Sequence, residues 1–167
     1  MQQVETPERV RPRVRHKVFD YETRVVRSAG RSGVASAEGR PDLDVSSPPE
    51  FQGEAGRWTP EHLFVAAIEA CTMTTFSALA ERAGLEVVGY ASEASGRLER
   101  AEDGFRFTSV VVRPRITLAE EGARATAASV LHEAHEACLI GRSVRAEVRI
   151  EPEFAIAGAA APATGGV

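Results

Sequence analysis

The sequence predicts a single α+β domain. One long apolar helical stretch lies mid-chain, and segments of alternating apolar and polar residues precede and follow it. At 167 residues the chain is large enough for one core, burying about 70% of the surface its unfolded form exposes. Such a domain needs no disulfide staples. The expected boundaries are a flexible arm at 1–16, the domain at 17–154 and a disordered tail at 155–167.

Residues 17–27 read as a first strand through Tyr21, Thr23 and Val25. Gly30-Arg31-Ser32-Gly33 forms a turn into a short strand from Val34 to about Glu38, and Asp42 to Ser46 offers another. The stretch SSPPEFQGEAGRW, residues 46–58, is a long Pro- and Gly-rich loop, a length that is often functional in a compact domain. Thr59 is then a good N-cap, Pro60 suits the first helical position and Glu61 the first turn. From Leu63 to Ala83 the helix is apolar almost all round, and Gly84 supplies its stop. A helix of this kind is expected to be buried on every side, partly by a second subunit. Residues 86–100 and 104–117 read as two strands joined by a turn. A helix from about Ala119 to Ala137 follows, and Ser143 to Glu151 is a last strand with Val144, Ala146, Val148 and Ile150 on its buried face.

The apolar fraction of 43% and charged fraction of 26% are ordinary for a globular protein. A net charge of −4 argues against a nucleic-acid partner, which would call for a basic face. Arg9, Arg11, Arg13 and Arg15, interrupted by Pro7 and Pro12, read as a solvated arm. No apolar run is read as membrane-length and no signal core follows the start, so the expectation is a cytoplasmic protein with no membrane partner.

The two cysteines, Cys71 and Cys138, both fall in apolar helical segments. By itself that describes inert core thiols, since buried cysteine behaves as a small hydrophobe. Other features also have two readings. His132, His135 and Cys138 follow at spacings of three and, with Cys71, offer a candidate metal set. The sequence is HEAH and lacks the HExxH spacing, so a partly wet helix surface is the preferred reading and no metal is expected. Glu69 lies about 200° around the helix from Cys71 and must meet a polar group elsewhere. Phe51 and Trp58 read as core anchors, with the wall of an apolar pocket as the alternative.

The run Thr59-Pro60-Glu61-His62-Leu63-Phe64-Val65-Ala66-Ala67, with Cys71 ten positions after Glu61, resembles the signature helix of the OsmC/Ohr family (osmotically inducible protein C and organic hydroperoxide resistance protein). Ala134-His135-Glu136-Ala137-Cys138 resembles its second cysteine motif, and the upstream Gly30-Arg31-Ser32-Gly33 resembles the Ohr side. The likeness spans roughly residues 17–153. It implies an OsmC-like fold, two small antiparallel sheets around a buried central helix, in an intertwined homodimer. It also implies a thiol-dependent peroxidase that reduces hydrophobic organic hydroperoxides in oxidative-stress defence, with no cofactor and a dithiol reductant of lipoyl type. On this chain Cys71 would be the peroxidatic cysteine, Cys138 the resolving one, and Glu61 and Arg31 the polar residues that hold the thiolate.

Those roles make chemical sense. Only a thiolate attacks an O–O bond, and a permanently charged guanidinium favours the anion while a carboxylate fixes the guanidinium. The chain departs from the pattern in two places. Leu139 stands where the Ohr branch has proline, and Pro49 and Glu50 stand where the OsmC branch carries its arginine. Arg27, Arg40 and Arg57 are therefore alternatives to Arg31. Helix geometry adds a constraint: ten residues at about 1.5 Å each put Glu61 roughly 15 Å from Cys71, so a shared site needs Glu61 from a second copy. The competing function is a non-catalytic redox sensor or a module binding a small apolar ligand.

Overall fold

The computed structural model describes residues 17–102 and 104–158. The expected arm at 1–16 and the tail beyond residue 158 lie outside the described residues. Three strands, β1 (Arg24–Ala29), β2 (Ser32–Ser36) and β3 (Leu43–Ser46), form an antiparallel sheet in the order β1-β2-β3. The first strand begins at Arg24, seven residues later than expected, because β2 is the strand it pairs with and Arg24 opposite Ser36 is where that ladder starts. Val18, Phe19 and Tyr21 consequently lie open to solvent. The β1–β2 turn passes through Gly30 at φ 50°, and Gly33 lets the strands close up, since a Cβ there would lie 2.7 Å from the Val26 carbonyl oxygen.

Helix α1 (Pro60–Arg82) starts as its sequence dictates: Thr59 Oγ1 accepts the backbone N–H of His62 and Pro60 takes the first turn. Gly84, at φ 64°, lies just beyond its end. Within one chain only the stripe Ile68, Thr72, Phe76 and Ala80 is closed, a spacing of four that keeps to one helix face. Burial on every side is thus not met in a single chain: Ala67, Ala70 and Met73 are open. Contrary to the sequence reading, α1 is long and apolar enough to cross a membrane by length and composition, with a best-window mean hydropathy of 1.6. Here it serves instead as the central helix of the fold, packed on the second sheet and on the later helices.

That sheet is built on a long hairpin, β4 (Val87–Ala101) and β5 (Gly104–Leu118). On the other side of β5 lie β6 (Glu147–Ile150) and β7 (Glu153–Ile156), both parallel to it. The expected all-antiparallel second sheet is therefore mixed. The chain leaves β5, crosses through α2 (Arg124–Ala137) and returns in the same direction, as a helical crossover requires. A 3-10 turn at Glu121–Ala123 precedes α2, which starts later than expected; a short helix α3 (Leu139–Ser143) follows it, and the last strand, anticipated from Ser143, begins only at Glu147. Pro152, which has no N–H to give a ladder, separates β6 from β7, and β7 takes in Ala155 and Ile156 from the supposed tail.

The core has two patches along α1. Phe76 and Ala80 pack with Ile116, Leu118, Val130 and Leu131, while Ile68 packs with Val110, Val112 and Ala146. Cys71 lies between these anchors on a helix held at both ends.

Candidate functional site

The fold brings the two cysteines together. Cys71 sits half-buried on α1, and Cys138 is 1% exposed at the break between α2 and α3, with φ −61° and ψ 111°. That extended residue ends one helix and caps the next: the Cys138 sulfur accepts the Gly141 N–H at 3.3 Å. Both thiols are free, and each perturbs the other's ionisation.

The pair is electrostatically unequal. Burial pushes the Cys71 thiol up, but the Ile140 N–H, the Cys138 thiol, the Thr75 hydroxyl and the Leu139 N–H together outweigh it and hold the thiol below its ordinary value. Thr75 Oγ1 lies 3.9 Å from the Cys71 sulfur. Burial pushes Cys138 up, and a negative Cys71 beside it pushes further in the same direction, against the Gly141 N–H and the Thr72 hydroxyl. Cys71 is therefore the thiol that ionises first, and Cys138 keeps its proton.

Neither Glu61 nor Arg31 reaches these sulfurs in one chain. Arg31, at the β1–β2 turn, donates to the Phe51 carbonyl and to Gln52 Oε1 at 3.3 Å. It braces the loop where Gln52 adopts a left-handed φ of 62°. The alternatives are engaged too: Arg27 with the Gly30 carbonyl, Arg40 with the Glu38 carbonyl, and Arg57 with Asp44 and Glu54 at 3.1 and 2.8 Å. Glu61 Oε2 is buried without a hydrogen-bond partner among the described residues, a state that costs about 1–3 kcal/mol or more unless a donor meets it.

Glu61 lines a cleft of about 580 Å³ between the start of α1, the preceding loop and the hairpin. Phe51, Trp58, Val65 and Phe107 form its walls. Phe51 and Trp58, 38% and 47% exposed, are thus pocket walls, not the core anchors the sequence suggested. Glu69 meets the expected polar group, accepting the Ser92 hydroxyl at 2.6 Å. Among the described residues no group of three or more His, Cys, Asp or Glu is placed to hold a metal. His132 is exposed and His135 half-buried.

Residues 53–153 match the family model described as OsmC-like protein. The chain belongs to the OsmC family. Its central helix, both cysteines and most of the second sheet fall inside the matched span. YmaD, an uncharacterized protein of Bacillus subtilis (strain 168), is 25% identical over 115 residues, which cover 67% of this chain and 77% of YmaD. An OsmC-like protein of unknown function from Vibrio cholerae superposes with a TM-score of 0.75 at 24% identity, covering 81% of this chain and 100% of the other. An organic hydroperoxide resistance protein from Legionella pneumophila gives 0.66 at 23% identity over 84% and 99%, and OhrB of Bacillus subtilis gives 0.59 at 23% over 81% and 98%. The OsmC-like α+β fold is shared with all of these structures.

Sequence reasoning missed the donors on Cys71, because two of them, Leu139 and Ile140, act through backbone N–H groups. One trace was visible: Leu139 stands where the Ohr branch has proline, and only a residue other than proline has that N–H. Alkylation rate against pH should place the Cys71 midpoint below the ordinary cysteine value of about 8.5. Leu139→Pro, at a first helical position that tolerates proline, should move that midpoint up by removing one donor. An unchanged midpoint in the variant would remove Leu139 from the thiolate's environment.

Proposed function

We propose that this OsmC-family chain is a thiol-dependent peroxidase that reduces organic hydroperoxides, with Cys71 as the attacking thiol and Cys138 as the resolving one. The observation that supports this reading is the unequal thiol pair: Cys71 held toward its anion, in reach of a protonated, buried Cys138.

The Cys71 thiolate attacks the outer oxygen of the hydroperoxide, the O–O bond breaks, and the alkoxide leaves and takes a proton as the alcohol. Cys71 becomes a sulfenic acid. The Cys138 sulfur then attacks Cys71, the S–S bond forms, and hydroxide departs as water with the proton from Cys138. An external dithiol, for which a lipoyl group is the proposed carrier, reopens the bond by exchange and is itself oxidised to the disulfide. Such a cycle suits a reducing, cytoplasmic compartment.

The working unit in this reading is a homodimer. Ala67, Ala70 and Met73 leave an apolar face of α1 open for a second copy, and Glu61, ten residues from its own chain's Cys71, would join a thiol site only as the residue of that second copy. The buried, unmatched Glu61 oxygen would then find its partner at that shared site, with Arg31 as the candidate guanidinium.

A steady-state assay tests the proposal. With cumene hydroperoxide and dihydrolipoamide, each chain should consume many equivalents of peroxide. Oxidation that halts after one equivalent, with dihydrolipoamide or thioredoxin present, would identify a sensor instead. No peroxide consumption at all would leave only a binding module.

A further inference from the structure

We infer that Thr75 is a donor to the reacting sulfur: its hydroxyl proton is kept free of the helix backbone and holds the Cys71 thiolate. This rests on Cys71 being the attacking thiol, though the hydroxyl's effect on that thiol can be measured without any peroxide.

A hydroxyl side chain inside a helix commonly gives its proton to the carbonyl one turn earlier. Helix α1 carries four such side chains, and three of them behave this way. Thr72 donates to the Ile68 carbonyl at 2.9 Å, Thr74 to the Ala70 carbonyl at 3.0 Å and Ser77 to the Met73 carbonyl at 2.9 Å. Thr75 is the exception. The carbonyl one turn before it is that of Cys71, which receives the Thr74 hydroxyl at 3.2 Å instead. Among the described residues, the one hydrogen-bond contact of the Thr75 hydroxyl is with the Cys71 sulfur, at 3.9 Å.

A spacing of four puts the two side chains on one helix face, and both are half-buried there. While Cys71 is protonated, its S–H can donate to Thr75 Oγ1. Once it ionises, the hydroxyl turns and donates to the anion. The contact is long for a resting pair, and a full negative charge on sulfur draws its donor closer. Thr75 also differs in origin from the other donors. The Leu139 and Ile140 N–H groups and the Cys138 thiol come from α3 and the break before it, whereas Thr75 shares one continuous helix with the sulfur. Its place beside Cys71 therefore does not depend on how α3 docks.

A donor of this kind has a two-sided kinetic signature. It enlarges the thiolate fraction at low pH, and it blunts the thiolate it holds, because nucleophilicity falls with pKa. Each tenfold gain in thiolate fraction comes with about a threefold loss of intrinsic rate. A residue that merely packs against Cys71 would not produce opposite effects at the two ends of the pH range.

Thr75→Val keeps the shape and removes the hydroxyl. Iodoacetamide alkylation of Cys71 in the reduced protein, followed by peptide mass against pH, should show a raised midpoint in this variant. Its rate should lie below wild type on the acid side and about twofold above it on the alkaline plateau. Thr75→Ser, which keeps the hydroxyl, should retain the wild-type profile. Thr74→Val, which removes a hydroxyl committed to the backbone, should leave the profile unchanged. Circular dichroism checks that each variant is folded, and Thr75→Ala carries the same test if valine unsettles the helix. A wild-type profile without the Thr75 hydroxyl, a rate lowered at every pH, or a serine variant that behaves like valine overturns the inference. Single-turnover reduction of cumene hydroperoxide should cross over in the same way. Crossover in alkylation with no peroxide reduced by any variant keeps Thr75 as the donor and removes the peroxidase reading.

Discussion

Replacing Cys71 with serine is expected to abolish hydroperoxide reduction, whereas Cys138→Ser should reduce one equivalent per chain rapidly, regenerate no thiol and consume a second only as excess peroxide over-oxidises Cys71. The asymmetry follows from the two environments. Backbone donors and the neighbouring thiol favour the anion at Cys71, while burial keeps Cys138 protonated until a sulfenic acid forms beside it. A serine hydroxyl at position 71 has no accessible anion near neutral pH, so loss of activity should reach the assay floor, about three orders of magnitude or more. With Cys138 gone, the Cys71 sulfenic acid has no internal thiol to meet and should advance to sulfinic acid under excess peroxide. Rapid-mixing peroxide consumption gives the stoichiometry, and intact mass shows the added oxygen atoms. Equal loss in both variants would sink the division of roles.

Mixed dimers should recover activity that neither parent has. Cys71→Ser and Glu61→Ala chains are each expected to be nearly inactive alone. After subunit exchange at equal amounts, half the dimers are mixed and each holds one intact site of two, so about a quarter of the wild-type rate should return. The expectation rests on helix geometry, which keeps Glu61 roughly 15 Å from the Cys71 of its own chain, and on the Glu61 oxygen that a single chain leaves unmatched. If exchange is demonstrated and no activity returns, Glu61 does not complete the partner's site. If Glu61→Ala is fully active alone, the residue has no place in the chemistry.

Much of the frame was legible because local chemistry specified it. Thr59, Pro60 and Gly84 mark the ends of α1 within a residue or two, since cap, first-turn and stop positions each demand particular residue types. The hairpin of β4 and β5 was legible from alternation and its turn. Parallel pairing of β6 and β7 with β5 was not, because alternation reports which face is buried and is silent about the direction of a neighbour. The first strand was overextended for a related reason: Tyr21 and Thr23 have strand-forming side chains, but the β1–β2 ladder starts only at Arg24.

The site divides along the same line. Cys71 and Cys138 stood out through motif resemblance, and the fold brings them together across α1 and α3. The break at Cys138 that turns its sulfur toward Gly141 carries no glycine or proline to announce it, and the N–H groups of Leu139 and Ile140 are properties of backbone placement that no side chain reveals. Phe51 and Trp58 were misplaced because an aromatic residue in a loop is equally suited to core and pocket until the loop's path is known.

The most direct measurement is to treat the reduced protein with one equivalent of cumene hydroperoxide, alkylate the remaining thiols and map the peptides. Both free thiols should disappear together, and a single cross-linked peptide should join Cys71 to Cys138 of the same chain. Recovery of Cys71 as the alkylated thiol, or its oxidation with Cys138 still free, would contradict the pairing.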